Sequence, residues 1–362
     1  MPVFQYQGSF ELENGGRLLS PSVFYQQWGT PNADGSNVIW VCHALTANAD
    51  VLSWWKGLFG PGSLFDPKDW CIVCANVLGS CYGTMGPLSM DPETGTPYYH
   101  SFPRITIRDM VQAHRALCDY LGIERIELLI GGSLGGQQAL EWSILEPHRF
   151  FRLVVIATNA EHSPWGVAFN ATQRMAIEAD PTWLRKGDSE AGLAGMKVAR
   201  ATALLSYRSY QTFQNTQAPS RKSFSETHPA ISYQQYQGEK LAQRFNAYSY
   251  WHLSHAMDSH DVGRERGSLF EALQRIEAET LVLSIDSDLL FPVSEQVQIS
   301  RAIPRAFHAT IPSIYGHDGF LIETQAISER IADFLFNGFN TYKTISFISP
   351  NNKNTWNATL EL

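Results

Sequence analysis

Long apolar runs are missing from this 362-residue chain, and none approaches the roughly 18 residues a membrane-spanning helix needs. An excess of positive charge is missing too. Lys and Arg total 27 against 35 Asp and Glu, a formal net charge of −8 with no Lys/Arg run, which argues against a nucleic-acid surface. A small anionic substrate would have to be captured by local arginines or backbone donors. Cysteine is scarce: Cys42, Cys71, Cys74, Cys81 and Cys118 are an odd set in a chain too large to be a disulfide scaffold. The opening Met1-Pro2-Val3-Phe4-Gln5 lacks the basic and apolar regions of a secretory signal, so the expectation is a reduced, cytoplasmic protein with no membrane partner. Metal-ligand spacings are lacking as well. Cys71 and Cys74 form C-x-x-C, but positions i and i+3 of a strand face opposite ways. His252, His255, Asp258, His260 and Asp261 cluster without H-E-x-x-H or Cys₂His₂ spacing, and read as a polar seam.

What is present is ordinary globular composition, 44% hydrophobic and 17% charged, enough for one large core. The first thirty residues alternate apolar and polar positions around Asn14-Gly15-Gly16, which predicts a hairpin followed by another strand. Val38–Cys42, Cys71–Ala75, Ile126–Ile130, Leu153–Ala157 and Leu281–Ile285 are short apolar runs of the kind buried on both faces of a parallel sheet. Helical patterns lie between several of them, such as Ile107–Leu121, ended by Gly122. Repeated strand–helix units mean an α/β fold with a mostly parallel sheet. From about Glu161 to Asp261 the buried runs stop. Met175–Glu178, Leu193–Leu205 and Gly238–Met257 look like consecutive helices, so this stretch is expected to be a lid inserted into the core. The expected division is a core of residues 1–160 and 262–340, a lid over 161–261, and a loosely attached tail over 341–362.

Chemistry is concentrated in Gly131-Gly132-Ser133-Leu134-Gly135-Gly136, which follows a strand-like run and precedes a helical one. G-x-S-x-G in that context is a nucleophile elbow, and it points to the α/β-hydrolase fold. A serine on so sharp a turn is strained, and side chains two positions either side would collide with the neighbouring strand and helix. A Walker-type loop would need Lys-Ser/Thr where Gln137-Gln138 stand. A serine nucleophile needs a base, and the order in this fold is Ser, acid, His. Asp286 and Asp288 both follow the Leu281–Ile285 run. Asp288 falls in the loop that can reach a histidine and is favoured on that geometry. His317, in a small-residue loop before the last helix (Phe320–Phe336), is the base. His308 sits inside a strand-like run, and the other histidines precede both acids. The backbone N–H groups of Leu134 and of Leu45, the latter in the loop after Val38–Cys42, are the expected oxyanion donors.

These residues resemble the homoserine O-acetyltransferases from about Tyr6 to Phe336. The resemblance is carried by Cys42–Thr46, Asn76–Pro87, Phe102–Val111, Gly131–Trp142, Ala256–Arg264 and Gly316–Asp318. It implies Ser133, Asp288 and His317 as the triad, and so selects Asp288 over Asp286. It implies Arg200, with Tyr207 two helical turns on, as the grip for the amino-acid carboxylate, an arginine fork suiting two oxygens. Arg208 is the rival, its plainer reading being a surface charge. Asp318 matches the residue at homoserine's amino end. The resemblance further implies acetyl-CoA as co-substrate with no permanently bound cofactor, and a homodimer formed through the lid. Ser80, Leu134, Gln137 and the pair Ala47-Asn48 depart from the commoner pattern and are expected to line the acyl pocket.

Overall fold

The apolar runs form strands because β-branched and aliphatic side chains can be buried on both faces at once. In the computed structural model, which describes residues 2–219 and 228–346, every position of Val38–Cys42 and of Cys71–Ala75 is buried. The first half of the chain runs β1 (Val3–Gln5), β2 (Ser9–Glu11), β3 (Arg17–Leu19), β4 (Ser22–Trp28), β5 (Val38–Cys42), α1 (Val51–Trp54), β6 (Cys71–Ala75), α2 (Ile107–Tyr120), β7 (Ile126–Gly132), α3 (Leu134–Leu145) and β8 (Phe150–Ile156). Five helices follow: α4 (Pro164–Glu178), α5 (Leu193–Tyr207), α6 (Tyr210–Gln217), α7 (Pro229–Ala242) and α8 (Ala247–Asp258). The chain then completes the core with α9 (Leu269–Leu273), β9 (Glu279–Ile285), α10 (Val293–Ala302), β10 (Ala306–Ile311), α11 (Gly319–Ile322) and α12 (Thr324–Ser346).

Eight strands form one sheet in the order β1-β4-β6-β5-β7-β8-β9-β10. It is parallel from β6 to β10, and β1 and β4 are antiparallel additions at one edge. The hairpin at Asn14-Gly15-Gly16 is the separate β2–β3 pair. Alternation along each strand divides the core in two. Val38, Trp40 and Cys71 face the layer that holds Trp142 and Leu140, whereas Ile39, Val41 and Cys74 face Trp55 and Phe334. Cys71 and Cys74 therefore point to opposite faces, as strand geometry requires. All five cysteines are free thiols.

Between β8 and β9 the chain leaves the sheet for α4–α8 and returns at a seam. Its ends are joined where His162 N–H donates to His260 O (2.9 Å) and Val262 N–H donates to Ala160 O (3.0 Å). Two helix boundaries differ from those read in the sequence. The stretch 238–257 is two helices, because Asn246 accepts the Ser249 N–H (2.8 Å) and caps a new start for α8. The last helix begins at Thr324, after the separate turn of α11, and continues to Ser346, past the expected end at Phe336 and into the expected tail. Residues 347–362 lie outside the described chain. Among the described residues, no helix is long and apolar enough to cross a membrane.

Candidate active site

Ser133 stands between β7 and α3 with φ 56° and ψ −127°, a conformation costing about 1–3 kcal/mol that persists only when its surroundings impose it. Here they do. Ser133 N–H donates to Ile156 O (3.0 Å), and Ser133 O accepts from Gly136 N–H (2.9 Å) and the Thr158 hydroxyl (2.8 Å). The flanking glycines are steric requirements. A Cβ on Gly131 would lie 2.2 Å from Gly135 O, and one on Gly135 would lie 2.0 Å from Cys42 O. Strand, elbow and helix can approach this closely only without those side chains.

Ser133 Oγ lies 2.9 Å from His317 Nε2, and His317 Nδ1 lies 2.7 Å from Asp288 Oδ2. The other oxygen of Asp288 accepts the backbone N–H groups of Leu290 (2.8 Å) and Phe291 (3.0 Å). A carboxylate fixed on that side holds Nδ1–H, leaving Nε2 free to accept a proton from the serine. All three side chains are buried. The rings of Tyr207, Phe291 and Phe320, with centroids 5.1–5.6 Å from that of His317, form its walls. Asp286 is exposed and does different work. Its Oδ1 accepts Ser313 N–H (2.8 Å) and so braces the loop that carries His317.

Above Ser133 is a cavity of about 70 Å³ whose lining includes Leu45, Arg200, Tyr207, His317 and Asp318. Among the described residues no backbone acceptor takes the Leu45 N–H. Leu134 is the first residue of α3, where N–H groups have no intrahelical partner. Two residues not singled out in the sequence hold this loop. His43 Nε2 accepts Val77 N–H (3.1 Å), its Nδ1 meets Ala44 O (2.9 Å), and burial pushes its pKa down to about 4, so the ring is neutral at pH 7. Gln138 donates both to His43 O (3.2 Å) and to Leu134 O (3.1 Å), tying the Leu45 loop to the elbow helix. The only sequence signal for either was its place inside a quoted motif.

Arg200 enters the cavity from α5 with its Nε buried and without a hydrogen-bond partner, and its guanidinium carbon is 5.4 Å from the Tyr207 ring centroid. Among the described residues no carboxylate lies within ion-pair distance of it. Burial raises the Tyr207 pKa, and the neighbouring Tyr250 hydroxyl donates to Gln173 Oε1 (2.5 Å). Arg208 is not the free surface charge of its plainer reading: its Nε lies 2.7 Å from Asp318 Oδ2. The positions that depart from the commoner pattern do not line this cavity. Gln137 donates to Asn159 Oδ1 (2.9 Å) beneath the elbow, Leu134 is fully buried, and Ser80 lines a separate cavity with Cys81, Asn246 and Ser249. Asn48 is engaged within its own loop, its Oδ1 accepting the Asp50 N–H (2.9 Å) and its carbonyl the Trp54 indole N–H (2.8 Å). Among the described residues, no three His, Cys, Asp or Glu side chains are arranged to hold a metal ion.

Comparison with known proteins speaks to the family and the fold. A family model described as alpha/beta hydrolase fold matches residues 37–324. A homoserine O-acetyltransferase of Cyclobacterium marinum is 46% identical over 332 residues, 92% of this chain and 94% of its own. Among solved structures, a homoserine O-acetyltransferase from Bacillus anthracis superposes with a TM-score of 0.86 at 24% identity, covering 92% of this chain and 97% of its own. An esterase, E22, superposes with a TM-score of 0.84 at 23% identity, covering 92% and 99%. At those identities the two superpositions speak for the fold alone.

Proposed function

The chain belongs to the homoserine O-acetyltransferase family on the α/β-hydrolase fold, and from that premise we propose that it moves an acetyl group from acetyl-CoA to the hydroxyl of L-homoserine by way of Ser133. His317, oriented by Asp288, takes the proton of Ser133 Oγ as the oxygen attacks the thioester carbonyl. The N–H groups of Leu45 and Leu134 receive the developing oxyanion. Collapse of the tetrahedral intermediate breaks the C–S bond, and the imidazolium returns its proton to the leaving CoA thiolate. Homoserine then enters, its carboxylate on Arg200 and Tyr207 and its ammonium on Asp318. His317 removes the hydroxyl proton as that oxygen attacks the acyl-serine, and gives it back to Ser133 Oγ. The product O-acetyl-L-homoserine serves methionine synthesis in the cytoplasm.

The observation that carries this reading is Arg200. Its side chain is half-buried, with Nε shielded from water, and a partly desolvated cation without a carboxylate partner is well placed to take one from a ligand. An esterase, the second reading, acts on E22's fold equally well but has no use for an amino-acid grip. CoA release by the purified protein from acetyl-CoA and from succinyl-CoA, with L-homoserine, L-serine or water as acceptor, tests it. Release should be fastest with acetyl-CoA and homoserine; equal release with no amino acid present would sink the transferase reading. The helical insertion is also the surface for a second copy of the chain. Val198 and Leu205 on α5 and Ile231 and Tyr236 on α7 are apolar and more than half exposed. Sedimentation should give a dimer, and Leu205→Glu a monomer.

A further inference from the structure

Arg200 and Asp318 line the same small cavity with opposite charges, and two such groups with nothing between them would neutralise each other. They do not meet. Asp318 Oδ2 is held by Arg208 Nε at 2.7 Å, and the pair is largely shielded from water, with 21% and 15% of the two side chains exposed. Asp318 Oδ1 makes no hydrogen bond among the described residues. Arg208 is itself fixed. It ends α5, and its backbone N–H donates to Leu204 O at 3.1 Å. The next residue, Ser209, and then Thr212 both donate their hydroxyls to Ile314 O in the His317 loop, the latter at 2.5 Å. Gly316 fits under this segment only as glycine: its φ is 65°, and a Cβ would lie 2.8 Å from Ser209 N. The end of α5 is therefore docked on the loop that carries both His317 and Asp318.

We propose that Arg208 is a positioning residue for acceptor selection, which holds Asp318 away from Arg200 so that both charges stay available to opposite ends of the amino acid. This rests on the reading of Asp318 and Arg200 as the homoserine grips. Without Arg208 the carboxylate of Asp318 is free to swing onto the unpartnered guanidinium, and both grips are quenched together. The acyl donor needs neither, so the first half-reaction is untouched.

The test uses the full-length enzyme and three variants, with the two half-reactions separated. Arg208→Met should raise the homoserine KM about tenfold or more, the scale of losing a charge-assisted contact, while acyl-enzyme formation from acetyl-CoA, followed by intact mass, stays within about twofold of wild type. Arg208→Lys, which keeps a cation opposite Asp318, should restore most of the loss, within about threefold of the wild-type KM. A general structural role would slow both half-reactions alike and would gain nothing from lysine. Asp318→Asn separates the two readings. If it leaves the homoserine KM unchanged, the grip reading fails and this inference with it. If it raises the KM while Arg208→Met does not, or if Lys is as impaired as Met, the inference about Arg208 alone is overturned.

Discussion

The sheet and the helical insertion are built on different physics. The sheet buries continuous aliphatic strands and places the strained Ser133 at its edge, held by backbone hydrogen bonds from β8 and α3. The insertion is rich in buried polar contacts. Arg174 and Asn170 on α4 both bind Asp258 on α8, the latter at 2.8 Å, and Arg174 also donates to Ser254 Oγ (3.2 Å). Gln173 on α4 accepts from Tyr250 on α8, which in turn meets Tyr207 on α5. An aliphatic interior tolerates any sequence of the right volume and pattern, whereas a polar one is satisfied in few arrangements and so fixes orientation. On the mechanism proposed above, the core carries the acyl-serine triad together with Asp318, and the insertion adds Arg200 and Tyr207 from α5.

Substitutions on the two sides should therefore fail differently. The largest effect is expected at Ser133→Ala, with kcat lower by about 10⁵–10⁶-fold and the acyl-enzyme absent by intact mass. An adduct surviving in that variant would remove Ser133 from its role. Next is Asp288→Asn, which should lower kcat by about 10⁴-fold through loss of the imidazole tautomer, whereas Asp286→Asn should cost only about 1 kcal/mol of stability, read by urea unfolding. Equal losses of kcat in the two would break the assignment of the acid. On the insertion side, Arg200→Met should raise the homoserine KM about 100-fold and leave acyl-enzyme formation nearly unchanged. A matching loss in the first half-reaction would erase the contrast between core and insertion.

The smallest effect concerns pH. Burial pushes His114, packed between Trp40 and Trp142 in the core, down to about 3, and His252 and His260, on the insertion side and at the seam, to about 3 as well. Each is neutral in the folded protein, while its unfolded counterpart takes up a proton below the ordinary value of about 6.5. Stability from these groups is thus present above pH 6.5 and is lost as the pH falls toward 3. His114→Phe, which removes one titrating group from an aromatic site, should recover about 1 kcal/mol of the stability lost between pH 7 and 5.5. Urea unfolding at the two pH values measures it, and an unchanged difference would mean that His114 is not among the groups responsible.

How much of this could be read from the residues alone follows the same division. The parallel strands, the elbow and the Ser–acid–His order rest on local rules. A buried strand needs a run of apolar residues, and a strained serine needs glycines two positions either side, so Gly131 and Gly135 announce the site before any folding is considered. The insertion was recognisable as helical, yet its capped break at Asn246 was invisible to apolar periodicity, which runs on across 238–257. The residue pairs that matter most there are far apart in the chain. Arg208 and Asp318 lie 110 positions apart, and Gln138 reaches His43 across 95. A guanidinium looks the same in a sequence whether it meets water, a substrate or Asp318. Only packing the end of α5 onto the His317 loop decided that Arg200 faces the cavity unpaired while Arg208 does not, because burial and partner are properties of position in space.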